Sequence, residues 1–487
     1  MSFCFPLFRS CSLFFRTRLF YTASKLIVLS ATALFGGAVS AQTFSSLLDR
    51  AVIGDPTFLG ARTGVDVADA RKRQAVGALL PQVSATANTN TNNRDYHTRS
   101  NTTPPAQDSY NSHGSQVQLT QPLWRYANIV GWQQADNIAA QAEHQLAGAE
   151  QDLFVRLLQA WFDVLAARDN GLFTMQQMLA AERNLETVRR GEEMGTHSEP
   201  QLEEAKAKSD QAVADALTAE TEIQLKVAAL EQIVGALRGF VPPFMRDWVA
   251  IADPGMEKME VWLERVETQH PNVLAAGKAL EAASDEVRKQ WAGHQPTIDI
   301  VANYGKNSQA VGGFPGQAGY DIKTGAVGLQ LTLPIFSGGA QSAKVDEAMA
   351  QKEKARHDLE AARRAALLAG KQAWLGWQSA RMRAVAGAQM VRSAEATLEL
   401  ARQGLEKGLK VELDVLQAEQ NWRAALRDYR KARYEQMVSY AKLKAATGNL
   451  TQADVQTMDA LFISREESKP EKPQRPAAPV GKDEKAT

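Results

Sequence analysis

Apolar residues recur along this chain with two different periods. Between 340 and 447 they fall three and four apart: Ala418, Ala425, Ala432, Ser439 and Ala446 lie on one line, with Val415, Trp422, Tyr429, Gln436 and Leu443 on a second line offset by three. A seven-residue seam of alternating large and small layers predicts helices packed closely along a shared axis. With Gly404 and Gly408 at the join, the stretch reads as a long two-helix hairpin. Earlier, from about 127 to 194, Ala149, Leu153, Leu157, Ala160, Val164 and Ala167 keep the same spacing. At 1.5 Å per residue that helix is roughly 100 Å long, more than a globular domain needs. The returning helix, 199–237, is shorter, and a helix from Pro56 to about residue 80 makes up the difference. The pattern predicts a split helix beside an unbroken one.

The second period is two. Val83, Ala85 and Ala87 alternate with Ser84, Thr86 and Asn88, and Val117 and Leu119 alternate with Gln116, Gln118 and Thr120, across a polar loop rich in Asn, Thr, Ser and Pro. Later, Ile298, Ile300, Ala302 and Tyr304, then Val327, Leu329, Leu331 and Leu333, oppose Gly328, Gln330 and Thr332. These alternations predict four strands of about ten residues each. One such strand alone suits a half-buried sheet on a soluble core. Four on one chain, apolar on one face and Gln, Thr, Asn and Gly on the other, suit transmembrane strands with a wet lumen. A sheet in hydrocarbon has to close, and four strands fall short of the usual minimum of about eight, so the sheet is expected to be shared between copies.

The plan is written twice. Gln159, Ala160 and Trp161 recur as Gln372, Ala373 and Trp374 at an offset of 213, as do Gly191 and Gly195 in Gly404 and Gly408. Pro56 and Pro81 recur in Pro271 and Pro296 at 215, and Pro122 in Pro334 at 212. Such repeats define the organisation: a first unit over 42–240, a Pro-punctuated linker over 241–262, and a second unit over 263–464. After Pro122 and Pro334 come Trp124 and Phe336, aromatic junctions that suit either a membrane-interface belt or ordinary packing, and each proline is expected to end strand pairing.

Composition narrows the function. Arg9, Arg16, Arg18 and Lys25 precede an apolar run and the small-residue site Val39-Ser40-Ala41, which predicts a signal peptide over 1–41. Cys4 and Cys11, the two cysteines of the chain, both lie inside it. The mature chain would then lack thiol catalysis, thiolate metal sites and disulfides. Losing four basic residues from a chain of 55 basic and 55 acidic ones leaves it mildly acidic, a poor match for nucleic acid. Seven scattered histidines show no metal-ligand spacing, and no phosphate-cradling loop or nucleophile elbow is present, so neither an enzyme nor a cofactor is expected. Trp161 and Trp374 fall inside the helical repeats and suit packing better than a ligand platform. The 465–487 tail, with Pro470, Pro473, Pro476 and Pro479 among Lys and Glu, reads as disordered.

Taken as a set, these residues resemble the TolC family of outer-membrane channel proteins, from about 43 to 461. Gln121-Pro122-Leu123-Trp124 and Leu333-Pro334-Ile335-Phe336-Ser337-Gly338-Gly339 are similar to its junction motifs, and Gly408-Leu409-Lys410-Val411-Glu412-Leu413-Asp414-Val415-Leu416 to its second hairpin turn. The resemblance implies a mainly α fold with a transmembrane β-barrel portion: a homotrimer sharing a 12-stranded barrel and a helical tunnel. It implies a place in the outer membrane of a Gram-negative cell, in contact with outer-membrane lipid and extending into the periplasm. The implied partners are a periplasmic adaptor (membrane fusion) protein and an inner-membrane ABC or proton-driven transporter.

It also implies a constriction at the periplasmic entrance, with Asp414 as its acidic ring. A second aspartate expected three residues later is Gln417, the basic position is Lys410 rather than the commoner Arg, and the first hairpin carries Gln201 where Asp is frequent. The alternative for Asp414 is a solvated carboxylate near a helix N-terminus, where it is favoured anyway. Gly191, Gly195, Gly404 and Gly408 are expected to cap the hairpin turns and to serve as hinges and adaptor contacts. The function expected is a passive exit duct, type I protein secretion favoured, with multidrug efflux as the alternative. A periplasmic coiled-coil adaptor is the alternative from another class.

Overall fold

In the computed structural model, residues 44–96, 106–237, 240, 242–245, 258–312 and 317–463 are described. The expected signal peptide, the tail and part of the linker lie outside them. In chain order the elements are α1 (Phe44–Gly54), α2 (Pro56–Gly77), β1 (Gln82–Tyr96), β2 (Ala106–Trp124), α3 (Tyr126–Glu193), α4 (Glu199–Val234), β3 (Phe244–Met245), α5 (Met259–Gln269), α6 (Pro271–Trp291), β4 (Thr297–Val311), β5 (Ala318–Thr332), α7 (Ala340–Glu406), α8 (Glu412–Ala446), α9 (Gln452–Asp459) and β6 (Phe462–Ile463). The order helix, strand pair, long helix, shorter helix occurs twice.

The two long helices, α3 with 68 residues and α7 with 67, run without a break. Both α2 and α4 pack along α3, and α6 and α8 pack along α7, so each long helix lies beside the two shorter ones of its own repeat, while α6 and α8 also pack on α3 and join the repeats. The α7–α8 seam follows the heptad lines: Val391 meets Ala425 and Tyr429, and Leu398 and Ala401 meet Ala418, with Trp422 between the two clusters. Small layers permit the close approach, since a Cβ on Gly387 would sit 3.3 Å from the Tyr429 backbone. Nearer its C-terminus α8 buries a second face, with Tyr434, Met437, Val438 and Ala441, because α3 packs there as well.

The largest core gathers the middle of α3, the end of α4, α1, α8, α9 and the short sheet made by β3 and β6. Trp161 is its centre, 1% exposed, with the rings of Phe240 at 5.7 Å and Phe44 at 6.1 Å. Asp459 ties α9 to the start of α1 by accepting from the backbone N–H groups of Phe44 and Ser45 at 2.8 and 2.9 Å. Trp374, at the equivalent repeat position, packs instead with Trp262 and Trp377. The linker expected over 241–262 thus supplies β3 and the start of α5 to these cores. Neither two-residue strands nor an eight-residue helix leaves a readable period.

The long strands form one antiparallel sheet in the order β1-β2-β4-β5. At 15, 19, 15 and 15 residues they exceed the expected ten. In β4 and β5 the excess runs through 305–311 and 318–326, and in β1 and β2 it lies in the Asn/Thr stretch expected to be loop, where both faces are polar and alternation vanishes. Cross-strand polar pairs hold it: Asn92 donates to Ser112 at 2.9 Å, and Arg94 donates to Asp108 at 3.0 Å. A second correction concerns Pro122, which does not end pairing. β2 continues opposite Asp299 and Ile298 to Trp124, and the missing donor is absorbed by a bulge between Pro122 and Trp124. Pro334 does lie beyond the end of β5 at Thr332.

Asp55 caps α2 and is 2% exposed. Burial would raise its pKa, but hydrogen bonds from Arg156, from the Thr57 hydroxyl and from the Phe58 N–H outweigh that and bring it down to about 2. A carboxyl depressed on folding adds stability above its ordinary value and loses it as pH falls through the folded value. We therefore expect about 2 kcal/mol to vanish between pH 4 and 2. Thermal melts from pH 7 down to pH 2 should show the Asp55→Asn variant less stable at neutral pH and flatter in acid than the parent.

Candidate functional site

Side chains two apart on a strand share a face, and register rows across the sheet show what each face carries. One row is Val83, Leu119, Ala302 and Val327, and the next is Ala85, Val117, Tyr304 and Gly325. Toward the helices follow Ile300 with Leu329 and Ile298 with Leu331. The opposite face carries Ser84, Gln118 and Asn303, then Thr86, Gln116 and Thr324. The apolar face is uncovered: Val327 is 79% exposed, Leu329 72% and Leu331 67%. Among the described residues, β1 pairs with β2 alone and β5 with β4 alone, which leaves one free edge on each side of the sheet.

At the helix end of the sheet Trp124 is half exposed and stacks on Tyr126, ring centroids 6.3 Å apart. Phe336 and Ile335 stand almost wholly free. Arg125, the residue before α3, makes a two-bonded pair with Asp299 of β4 at 2.8 and 2.7 Å, and Asp299 is 5% exposed. The amides of Gln121 and Asn128 donate to the Leu79 and Ala78 carbonyls at 3.0 and 2.6 Å. These bonds fix the angle at which strand becomes helix. The sequence shows no sign of the Arg125–Asp299 pair, whose members are 174 positions apart.

At the far end the two hairpin turns are built alike. Gly195 and Gly408 adopt φ of +73° and +69°, which a side chain disfavours. The Gly191 carbonyl accepts from Thr196 and His197, and the Gly404 carbonyl from Leu409 and Lys410. A Cβ at Gly191 would collide with the His197 imidazole, and one at Gly404 would sit 3.0 Å from Lys410 Cγ. Gln201 and Asp414 hold the same position three residues into the returning helix. The Ser198 N–H donates to Gln201 Oε1 at 2.9 Å and the Val411 N–H to Asp414 Oδ2 at 3.1 Å. Lys410, Asp414 and Gln417 are exposed, and Gln417 donates to Asn421 at 3.2 Å. Among the described residues, Lys410 and Asp414 form no ion pair with each other.

The hairpins meet through α3 and α8. Midway along, the contact is tight: the buried Tyr434 hydroxyl donates to Asp169 at 2.8 Å, Tyr434 stacks on Phe162, and Arg427 lies 4.3 Å over the Phe173 ring. Toward the turns it loosens into a cavity of about 90 Å³ lined by Gln177, Arg183, Leu416, Glu419, Gln420 and Arg423. The outer flanks carry uncovered apolar side chains, Val213, Leu217 and Leu225 on α4, and Met382, Val385 and Met390 on α7. Counted up from Gly195 and Gly408, Val213 and Met390 both stand 18 residues above their turns, and Leu217 and Val385 stand 22 and 23.

The sequence model of the family described as outer membrane efflux protein matches residues 47–236 and 262–449. The chain is 28% identical over 438 residues to the outer membrane protein TolC of Vibrio cholerae, covering 89% of this chain and 97% of that protein. It is 26% identical over 450 residues to the proteases secretion protein PrtF of Dickeya chrysanthemi, covering 90% and 96%. Among solved structures, the Campylobacter jejuni CmeC outer membrane channel superposes with a TM-score of 0.70 at 17% identity, over 86% of this chain and 88% of that one. The fold is that of these TolC-like channel-tunnels.

The turn geometry separates Gly195 and Gly408, with positive φ, from Gly404. Gly195→Ala and Gly408→Ala are each expected to cost about 1 kcal/mol and to speed hydrogen exchange in the adjoining helix ends. Gly404→Ala is expected to be nearly neutral, because the long Lys410 side chain can move aside.

Proposed function

The chain belongs to the outer membrane efflux protein family, and we propose that three copies of it build a passive exit duct through the outer membrane and periplasm, serving a one-step protein secretion system. The observation that carries this is the sheet itself, which has an uncovered apolar face, a polar reverse face and two free edges. In hydrocarbon every backbone group needs a partner, so each free edge requires a neighbour's strand. Two copies would make eight strands, a barrel just wide enough for its own side chains; three make twelve and leave a bore.

The edges differ, β1 on one side and β5 on the other, and so do the flanks, α4 and α7. Contacts between unlike faces run head to tail and close into a ring. The matching heights of the apolar residues on α4 and α7 support such a ring, with the barrel continued by the helices. A coiled-coil adaptor would have no use for 15-residue strands with an apolar outer face.

At the turns, Gln201 performs the same cap as Asp414 without a charge, so capping does not account for the carboxylate at 414. Three Asp414 side chains around one axis would form a cation-attracting constriction, while Gln417 leaves out a second ring. The loosened α3–α8 contact near the turns would let the α7–α8 hairpin swing about the Tyr434–Asp169 contact. A periplasmic adaptor and an inner-membrane transporter would drive that movement, since the chain carries no nucleotide-binding motif. Protein cargo is favoured by the likeness to a relative named for protease secretion. An efflux duct of the same build is the alternative, favoured by the family's own description.

Planar-bilayer recording tests the duct. The parent is expected to form cation-selective channels blocked by divalent ions. Asp414→Asn is expected to lower that selectivity at least about two-fold. A parent that never conducts would remove the channel, and an unchanged variant would remove Asp414 from the constriction.

A further inference from the structure

The apolar face of the sheet ends abruptly at its outer side. Moving away from the helices, its rows pass from Ile298 and Leu331 to Tyr304 and Gly325, and the next row sets Lys306 directly opposite Lys323, beside Ser115 and Ala87. Like charges opposite one another across a strand pair repel, so the sheet itself has no need of this arrangement. Compensation is partial. Asp321, one row further out, reaches Lys306 at 3.1 Å, and His113 in that same outer row is engaged with Thr89. Within these two rows one positive charge per chain is left over, the next carboxylate on the face being Asp95, three rows further out. Beyond it the face turns to hydroxyls and amides, Thr89, Thr91 and Asn111.

The height of the lysine row is informative. Trp124 stands beside Ile298 at the inner end, and Lys306 lies eight residues further along the strand. That is about 26 Å of strand, or about 20 Å of height at the usual tilt. With the lysine stems added, the interval approaches the apolar band of about 25 Å found on outer-membrane barrels. Lysine at such an edge lays its methylenes on apolar surface and sends its ammonium into the headgroups.

The geometry points to a lipid contact: Lys306 and Lys323 of each copy bind the phosphate of an outer-leaflet lipid whose acyl chains cover the rows below. The inference rests on the channel reading. Continuity with the apolar band selects a lipid over free phosphate, because a free ion would gain nothing from Val117, Tyr304 and Val327. The phosphate also removes the lysine pair's repulsion, which Asp321 alone does not.

The full-length protein is tested in vesicles of zwitterionic phosphatidylcholine containing either diphosphoryl lipid A or the same lipid stripped of its phosphates. Binding of a fluorescent diphosphoryl lipid is titrated for the parent, for the K306Q/K323Q double variant and for K306R/K323R. The parent is expected to prefer the phosphorylated lipid, the glutamine variant to lose about five-fold in affinity per lysine replaced, and the arginine variant to keep it. Equal affinity of parent and glutamine variant overturns the assignment, as does full displacement of the lipid by inorganic phosphate. Flotation with the phosphate-stripped vesicles reads the channel proposal separately. A parent that floats but shows no phosphate preference overturns the lysine contact alone, and one that fails to float overturns the membrane reading beneath it.

Discussion

Unpaired backbone amides cannot be left in hydrocarbon, and that constraint shapes what this chain can be. Its sheet exposes a face of apolar side chains, and its two edges are open. Neither feature is tolerable in a solitary copy. An uncovered face and an open edge on the same element call for lipid and for further copies together. The duplication meets the demand economically, since one strand pair per repeat, joined through β2 and β4, would give each of three copies a third of the wall.

The helices inherit their geometry from that wall. Arg125 and Asp299 pin the start of α3 against β4, and the amides of Gln121 and Asn128 clamp the end of α2 beside it. From there the small layers of the α7–α8 seam keep the second hairpin slender, while the core around Trp161 binds α1, α3, α4 and α8 at mid-height. Below that core, contact between the hairpins thins toward the turns. Rigidity is thus concentrated where the helices leave the sheet and at mid-height, and freedom where the proposed entrance lies.

Much of this was legible because two periods, seven and two, are written over long stretches. The ladders from Val415 to Ala446 and from Ile298 to Leu333 named their elements without help. What escaped had physical reasons. The Asn/Thr part of β1 and β2 is polar on both faces and carries no alternation. β3 and β6 are too short to show a period, and they pair across more than two hundred residues. Pro122 looked like a terminator because a missing donor usually ends a ladder, and the bulge beside it was invisible. The Arg125–Asp299 and Asp169–Tyr434 contacts join residues that no local pattern connects. At the turns the glycines were readable, and the equivalence of Gln201 and Asp414 lay in the repeat offset, but that each side chain closes its own helix start required coordinates.

A duct of this kind depends on which medium each face of the sheet meets. With Cys4 and Cys11 replaced by serine, single cysteines can be placed one at a time at Ile300, Val327 and Leu329, and at Asn303, Ala326 and Gln330, in protein reconstituted into bilayers. With an environment-sensitive label, the first set is predicted to be quenched from the lipid phase and the second from water, alternating residue by residue along each strand. Labels that all report water, or that show no alternation, would contradict a lipid-facing sheet and the duct built on it.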